Sequence, residues 1–340
     1  MTRRAVVPPG VVSVPRQAVP EQAAPERGLP EQGILERGVL AGTPVAVTGS
    51  SGFIGSRLAT ALAGEGAAVT RHTRADPALG PDGRPAPGLR AARVVYHLAT
   101  SIHPSTAQRH PEWVAADRAA FGLLLDRLAW LADPPLVVLA SSGGYVYDPK
   151  APQPFAEDAP LHADTAYGRA KLELEGDLAA RRDVLPGIAL RLSNVYGPGQ
   201  HTSSGHGVIA HWARAARAGR PLRVIGDPAT VLDFVHVTDV AGALCRLGSA
   251  AVAGRDLPAV LNIGSGEPTS LAGLLHLFSR VAGRDLPAEQ AAGRGFDRQD
   301  TVLDVRAAAR ALGWRPRISL AAGLRGVWRQ TPGPAASGAV

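Results

Sequence analysis

Apolar positions along the 340-residue chain come in short blocks separated by polar stretches rich in glycine and proline. Runs at 44–48, 94–99, 135–142 and 188–192 read as short buried strands, and 68–74 as a more polar one. Between them the period lengthens. Residues 56–63 follow a helical pattern, and 113–131 carries Val114, Phe121, Leu124, Leu125 and Leu128 at the spacing of an amphipathic helix. Later, one apolar helix surrounds Cys245 and another opens at Thr269-Ser270. The pattern breaks twice. Residues 1–42 echo a pentapeptide, Val19-Pro-Glu-Gln-Ala, Ala24-Pro-Glu-Arg-Gly, Leu29-Pro-Glu-Gln-Gly and Ile34-Leu-Glu-Arg-Gly. Prolines at that spacing block both helix and central strand, so a disordered tail is expected, with a partner-binding arm as the alternative. The stretch 74–94 holds Pro77, Pro81, Pro85 and Pro87 and is too short for a strand plus crossover helix, a unit of about 30 residues.

With 45% hydrophobic residues the chain can bury a sizeable core, as one large or two interleaved units. Its formal charge of +7 comes almost wholly from arginine, since Lys150 and Lys171 are the only lysines. No basic run interleaves with aromatics, so nucleic acid is not the expected partner; small anions such as phosphates are, or else the excess reflects composition bias. A single cysteine, Cys245, rules out disulfides within the chain and fits a reducing cytoplasm. Neither a signal-peptide core nor a transmembrane run is present, so no membrane role is expected. His201, His206 and His211 lack supporting carboxylates, and no metal is assigned to them.

Chemistry enters at two points. After the strand at 44–48, Gly49-Ser50-Ser51-Gly52-Phe53-Ile54-Gly55 leads into a helix. Strand, glycine turn and helix together suit a dinucleotide: the glycines let the backbone approach a pyrophosphate, and the helix N-terminus offers free amides to it. The second point is Tyr167 and Lys171, which share one helix face at four-residue spacing. An ammonium so placed is expected to lower the tyrosine's proton affinity; the plain alternative is a solvated helix face.

Thr48 to Gly55, Tyr96-His-Leu-Ala99, Ser141-Ser142-Gly-Gly-Tyr-Val-Tyr147, Tyr167 to Lys171, and Arg191 to Gln200, in that order, resemble the extended short-chain dehydrogenase/reductases, the sugar-nucleotide epimerase, dehydratase and ketoreductase group. The resemblance covers about 43–330. It implies an α/β fold, a doubly wound parallel sheet of Rossmann type over 43–193 that carries a nicotinamide cofactor. A smaller C-terminal lobe over 194–330, interleaved with the last Rossmann elements, would take the nucleotide-sugar, and 331–340 would be a flexible tail. The third edge strand is expected to be missing from 74–94, along with the acidic residue beside adenine. Helix 113–131 and the Tyr167 helix would form a homodimer interface.

The same resemblance distributes roles. Gly49, Ser51, Gly52, Phe53, Ile54, Gly55, Leu98, Ala99 and Thr100 would line the cofactor, Lys171 would hold its ribose, and Tyr167 would exchange the proton. A hydroxyl beside Tyr167 orients the substrate oxygen. Counted back from Val146-Tyr147 it falls on Gly143, and counted from Tyr167 on Ser142; Ser142 is the assignment and Ser141 its alternative. Tyr145 stands where a threonine is usual, and Gly143-Gly144 where dehydratases carry an acid pair, which excludes dehydration. Thr73, with Arg71, His72 and Arg74 around it, occupies the place of the acid that binds a ribose 2′-hydroxyl, favouring NADP(H) over NAD(H). Asn194 and Arg294 would reach the substrate, although Asn194 also suits a turn cap before Gly197-Pro198. Leu232 replaces a diphosphate-binding arginine, a loss of roughly 1.5–3 kcal/mol unless another cation, Arg223 for one, compensates. Asp233 and Asp239 are expected to hold loop and helix-start geometry. The function expected is NADPH-dependent reduction of a dTDP-linked 4-keto-6-deoxy sugar in deoxysugar biosynthesis. An NAD-dependent 4-epimerase and a non-catalytic NADP-binding sensor are the alternatives.

Overall fold

The computed structural model describes residues 38–202, 207–295, 297 and 300–333. Most of the expected N-terminal tail and residues 334–340 lie outside these. Its last five residues do not: Leu40 is 1% exposed in the core, and the Gly42 amide donates to the Gly66 carbonyl at 2.9 Å. The elements are β1 (Pro44–Thr48), α1 (Phe53–Gly64), β2 (Ala68–His72), α2 (Pro87–Ala91), β3 (Val94–His97), α3 (Pro104–Ala107), α4 (Pro111–Ala129), β4 (Leu136–Ser142), α5 (Gly143–Val146), α6 (Ala166–Ala179) and β5 (Gly187–Leu192). There follow β6 (Asn194–Tyr196), α7 (Val208–Arg217), β7 (Leu222–Ile225), β8 (Val231–His236), α8 (Val237–Val252), β9 (Val260–Ile263), β10 (Pro268–Ser270), α9 (Leu271–Ala282), β11 (Ala288–Ala291), α10 (Arg306–Leu312) and α11 (Leu320–Gln330).

The central sheet runs β2-β1-β3-β4-β5-β9 with every pair parallel. Side chains alternate along a strand. Val45 and Val47 therefore enter one core with Leu58 and Leu62 of α1 and Leu244 and Leu247 of α8. Ala46 enters the other with Phe121, Leu125 and Leu128 of α4 and Leu174 of α6. Burial on both faces is why these strands read as unbroken apolar runs. α4 starts two residues before the expected helix because Pro111 suits the first turn, where its missing amide costs nothing.

β2 is an edge. From Arg74 to Arg93 the chain forms only α2 and an isolated bridge between Leu79 and Pro85, so the third strand is absent there, as the prolines, which lack an amide donor, dictate. Ala78, Leu79 and Ala86 pack against the α4 core in its stead.

The C-terminal lobe contains a three-stranded sheet, β10-β8-β6, and a two-stranded one, β11-β7. α7, α9 and α11 close on a core that includes Trp212, Leu274, Phe278 and Leu324. β9 returns from this lobe to the central sheet beside β5, so the two are interleaved. Cys245 is buried in α8. Among the described residues no helix is long and apolar enough to cross a membrane.

Candidate active site

At the C-terminal edge of the central sheet the glycine turn is shaped by close approach. Gly49 has φ +67°, and a Cβ there would lie 2.7 Å from the Ala99 amide nitrogen. A Cβ on Gly55 would overlap the Gly49 carbonyl. Only glycine meets both conditions. Gly52 caps α1 without a side-chain bond, leaving the first-turn amides at Phe53, Ile54 and Gly55 to face an anion, with Ser51 exposed beside them. Thr48 Oγ1 joins the strand ends, lying 3.0 Å from His97 Nδ1 and accepting from the Ala99 amide at 3.3 Å. This brings Leu98, Ala99 and Thr100 next to the turn. The Ser50 hydroxyl and amide both donate to the His72 carbonyl, at 3.0 and 3.2 Å, bringing Thr73 and Arg74 there too. These residues fit a dinucleotide. Arg71 and Arg74 are exposed, whereas His72 turns into the protein at 3% exposure and does not join them.

α6 begins at Thr165, whose hydroxyl accepts from the Gly168 amide at 3.0 Å, and presents Tyr167 and Lys171 to the end of β4. Lys171 Nζ donates to the Ala140 carbonyl at 3.1 Å and stands 5.6 Å from the centroid of the Tyr167 ring. Ser142, the last residue of β4, stands at the strand end beside Tyr167, near enough for its hydroxyl to favour the phenolate. Its neighbour Ser141 points to the opposite face and donates to Glu175, which pairs with Arg191 at 2.7 Å in a nearly buried bridge. A Cβ on Gly143 would lie 2.6 Å from Leu303 Cδ1, so a side chain there would have to displace Leu303. Of the three positions at which the hydroxyl can be counted, only Ser142 reaches Tyr167.

Electrostatics departs from the expectation of a lowered tyrosine. Desolvation pushes the Tyr167 phenol well above its ordinary value, Tyr145 adds to this, and only the Ser142 hydrogen bond opposes it. The Tyr145 ring meets Tyr167 edge-on, centroids 5.3 Å apart. Lys171 does not rescue the phenolate because burial taxes it as well: its pKa falls to about 8, held up by Asp117 and Glu175. Burial and the Lys171 charge bring His97 down to about 4, so it is a neutral partner of Thr48. Asp117, on α4, is a site residue that the sequence does not mark. Its Oδ2 accepts from Thr100 Oγ1 at 2.8 Å and the Ser101 amide at 2.7 Å, pinning the loop after β3. An acid on the polar side of an amphipathic helix carries no signal of such a contact.

On the lobe side, Asn194 Nδ2 donates to the Asp233 carbonyl at 3.0 Å, so some of its bonding is structural. Asp233, fully buried, accepts from Ser193, Ser265, Gly266 and Leu303, and Asp239 Oδ2 from the Ile318 amide at 2.9 Å; both hold geometry, as expected. Arg294 is exposed and pairs with Asp297 at 2.6 Å. Arg223 faces Glu289 across β7 and β11 at 3.7 Å. Leu232 lies between Thr269 of β10 and Thr301, packed on the lobe core. Among the described residues no group of three His, Cys, Asp or Glu could hold a metal; His206 lies outside them.

The pattern that defines the NAD dependent epimerase/dehydratase family matches residues 45–264. The chain is 31% identical over 301 residues to a UDP-glucose 4-epimerase of Mycolicibacterium smegmatis, spanning 82% of this chain and 95% of that protein. It is 32% identical over 313 residues to a dTDP-6-deoxy-L-talose 4-dehydrogenase (NAD(P)+) of Kitasatospora kifunensis, spanning 84% and 94%. The crystal structure of a UDP-glucose 4-epimerase of Thermotoga maritima with UDP-glucose superposes at a TM-score of 0.74 and 26% identity, covering 84% of this chain and 97% of that one.

Proposed function

Since the chain belongs to the NAD dependent epimerase/dehydratase family, we propose that it is an NADPH-dependent ketoreductase of a nucleotide-linked, dTDP-type 4-keto-6-deoxy sugar, serving deoxysugar biosynthesis. Its relatives make it an NAD(P)-dependent enzyme of sugar nucleotides. The end of β2 carries the choice of a reductant: Thr73 stands where NAD binders keep an acid, flanked by the exposed guanidinium groups of Arg71 and Arg74, which suit a 2′-phosphate. A relative named as a 4-dehydrogenase of a 6-deoxy sugar supports the same reading.

When bound, NADPH supplies the hydride. Gly49 to Gly55 hold the pyrophosphate, and Lys171 holds the nicotinamide ribose. Ser142 hydrogen-bonds the carbonyl oxygen, and Tyr167, kept protonated by desolvation, gives its proton to that oxygen as it gains charge. A homodimer through α4 and α6 belongs to the same proposal; the two helices already pack side by side, tied by Arg118 to Glu173 and Asp177.

The second reading, a UDP-sugar 4-epimerase that retains NAD, draws on the near full-length match to the Mycolicibacterium smegmatis enzyme. NADPH oxidation against a panel of 4-keto-6-deoxy sugar nucleotides separates the two. One NADPH consumed per sugar is expected, and Tyr167→Phe should lower kcat by roughly 100- to 10,000-fold with NADPH binding kept. Tightly retained NAD with UDP-glucose and UDP-galactose interconverted, and no net NADPH use, would establish the epimerase. Unchanged biological activity in Tyr167→Phe would leave a cofactor-binding sensor.

A further inference from the structure

The one-turn helix α5 has two unlike sides. Gly143 and Val146 are buried, and Val146 joins Tyr147, Phe155 and Leu303 in a small core of its own. Gly144 and Tyr145 lie on the other side and are only half-buried. That side faces the catalytic hydroxyl: a Cβ on Gly144 would still stand 4.0 Å from Ser142 Oγ. Tyr145, the next residue, is therefore the first full side chain on this side of the turn. In the sequence it marks a departure, since a threonine is usual there.

Backbone packing sets where its ring goes. A Cβ on Gly168 would overlap the Tyr145 carbonyl, so α5 rests directly on the first turn of α6. The Tyr145 ring then meets the Tyr167 ring edge-on, with centroids 5.3 Å apart and planes at 87°, an arrangement in which aromatic pairs attract. Tyr167 packs in addition on the cluster of Ile102, Ala107 and Ala170. With the sugar's C4 oxygen held by Tyr167 and Ser142, a ring in contact with Tyr167 borders the carbons next to C4, which are C3 and C5. C3 carries a hydroxyl. C5 of a 6-deoxy sugar carries a methyl, its one apolar substituent. Ring carbons bury a methyl favourably, whereas a hydroxyl set against them gives up its water without a partner of equal strength.

We propose that Tyr145 is a specificity-determining residue, whose ring packs on the C6 methyl and selects 6-deoxy over 6-hydroxy nucleotide-sugars. The assignment rests on the nucleotide-sugar reading above. It is tested in the oxidative direction, with the full chain, NADP+ and dTDP-6-deoxyglucose, dTDP-6-deoxygalactose, dTDP-glucose and dTDP-galactose, which present both C4 configurations with and without the 6-hydroxyl. The wild-type chain should favour the 6-deoxy member of a pair roughly 10- to 100-fold in kcat/KM. Tyr145→Phe keeps the ring and should retain that preference. Tyr145→Thr keeps a hydroxyl without the ring and should lower the preference roughly tenfold or more, with NADP(H) binding by calorimetric titration unchanged. A preference intact in Tyr145→Thr, lost in Tyr145→Phe, or missing from the wild-type chain overturns the assignment and leaves the nucleotide-sugar reading standing. Oxidation of none of the four sugars or their UDP counterparts by the wild-type chain overturns both.

Discussion

In the central sheet, the groups that carry chemistry sit at the ends of adjacent strands, each within a few residues of a glycine or a helix start. In the C-terminal lobe a single buried carboxylate, Asp233, joins Ser193, Ser265, Gly266 and Leu303, drawn from segments far apart in sequence. The first arrangement is built by backbone: Gly49 and Gly55 close on each other, and α1 offers its amides. The second is built by side-chain hydrogen bonds across distant segments. A local design tolerates an altered neighbour, as the lost third strand shows. A long-range one concentrates its dependence on a single residue.

Asp233→Ala is the hardest way to break the second region. It leaves the Ser265, Gly266 and Leu303 amides without the fully buried carboxylate that pairs them, at up to roughly 1–3 kcal/mol for each orphan. A loss of about 3 kcal/mol or more is expected in denaturant unfolding; a loss under about 1 kcal/mol would mean that water or neighbouring groups replace the carboxylate.

Acid sharpens the contrast. His97 has a folded pKa of about 4 against an ordinary 6.5. Between those values the unfolded chain binds a proton that the folded chain refuses, so stability is full above 6.5 and falls as pH drops toward 4, by up to roughly 3 kcal/mol. Asp233 works in the opposite sense, because burial raises its pKa and the folded state then takes up the proton first. His97→Asn should flatten the loss between pH 6.5 and 4 in unfolding measurements; an unchanged slope would place the acid sensitivity elsewhere.

The smallest effect probes the seam where the regions touch. Gly143→Ala sets a methyl 2.6 Å from Leu303 Cδ1, a clash worth roughly 1–3 kcal/mol. Combined with Leu303→Ala, it should show a favourable coupling energy in a double-mutant cycle, and additivity would show that the two side chains do not meet.

Much of the first region was legible in the chain. β1 spans 44–48 as its apolar run predicts, α4 buries Phe121, Leu124, Leu125 and Leu128, and the prolines after Arg74 exclude the third strand. α1 begins at Phe53, inside the glycine turn, because the last turn residues already take helical geometry. The lobe was legible mainly as departures, Leu232 above all. What flanks that position is Thr269 of β10 and Thr301, 37 and 69 residues further along the chain.

By itself the sequence determined which side chains share a face, since periodicity is a local property: Tyr167 with Lys171, Ser142 opposite Ser141. Only the tertiary structure decided what those faces meet. Desolvation made Tyr167 a held proton rather than a ready phenolate. Leu303 closed in on Gly143, leaving Ser142 as the hydroxyl beside the phenol, and the pairing of β11 with β7 set Arg223 against Glu289. Burial and long-range Coulomb interaction depend on what covers a group, and the chain does not encode that at any one position.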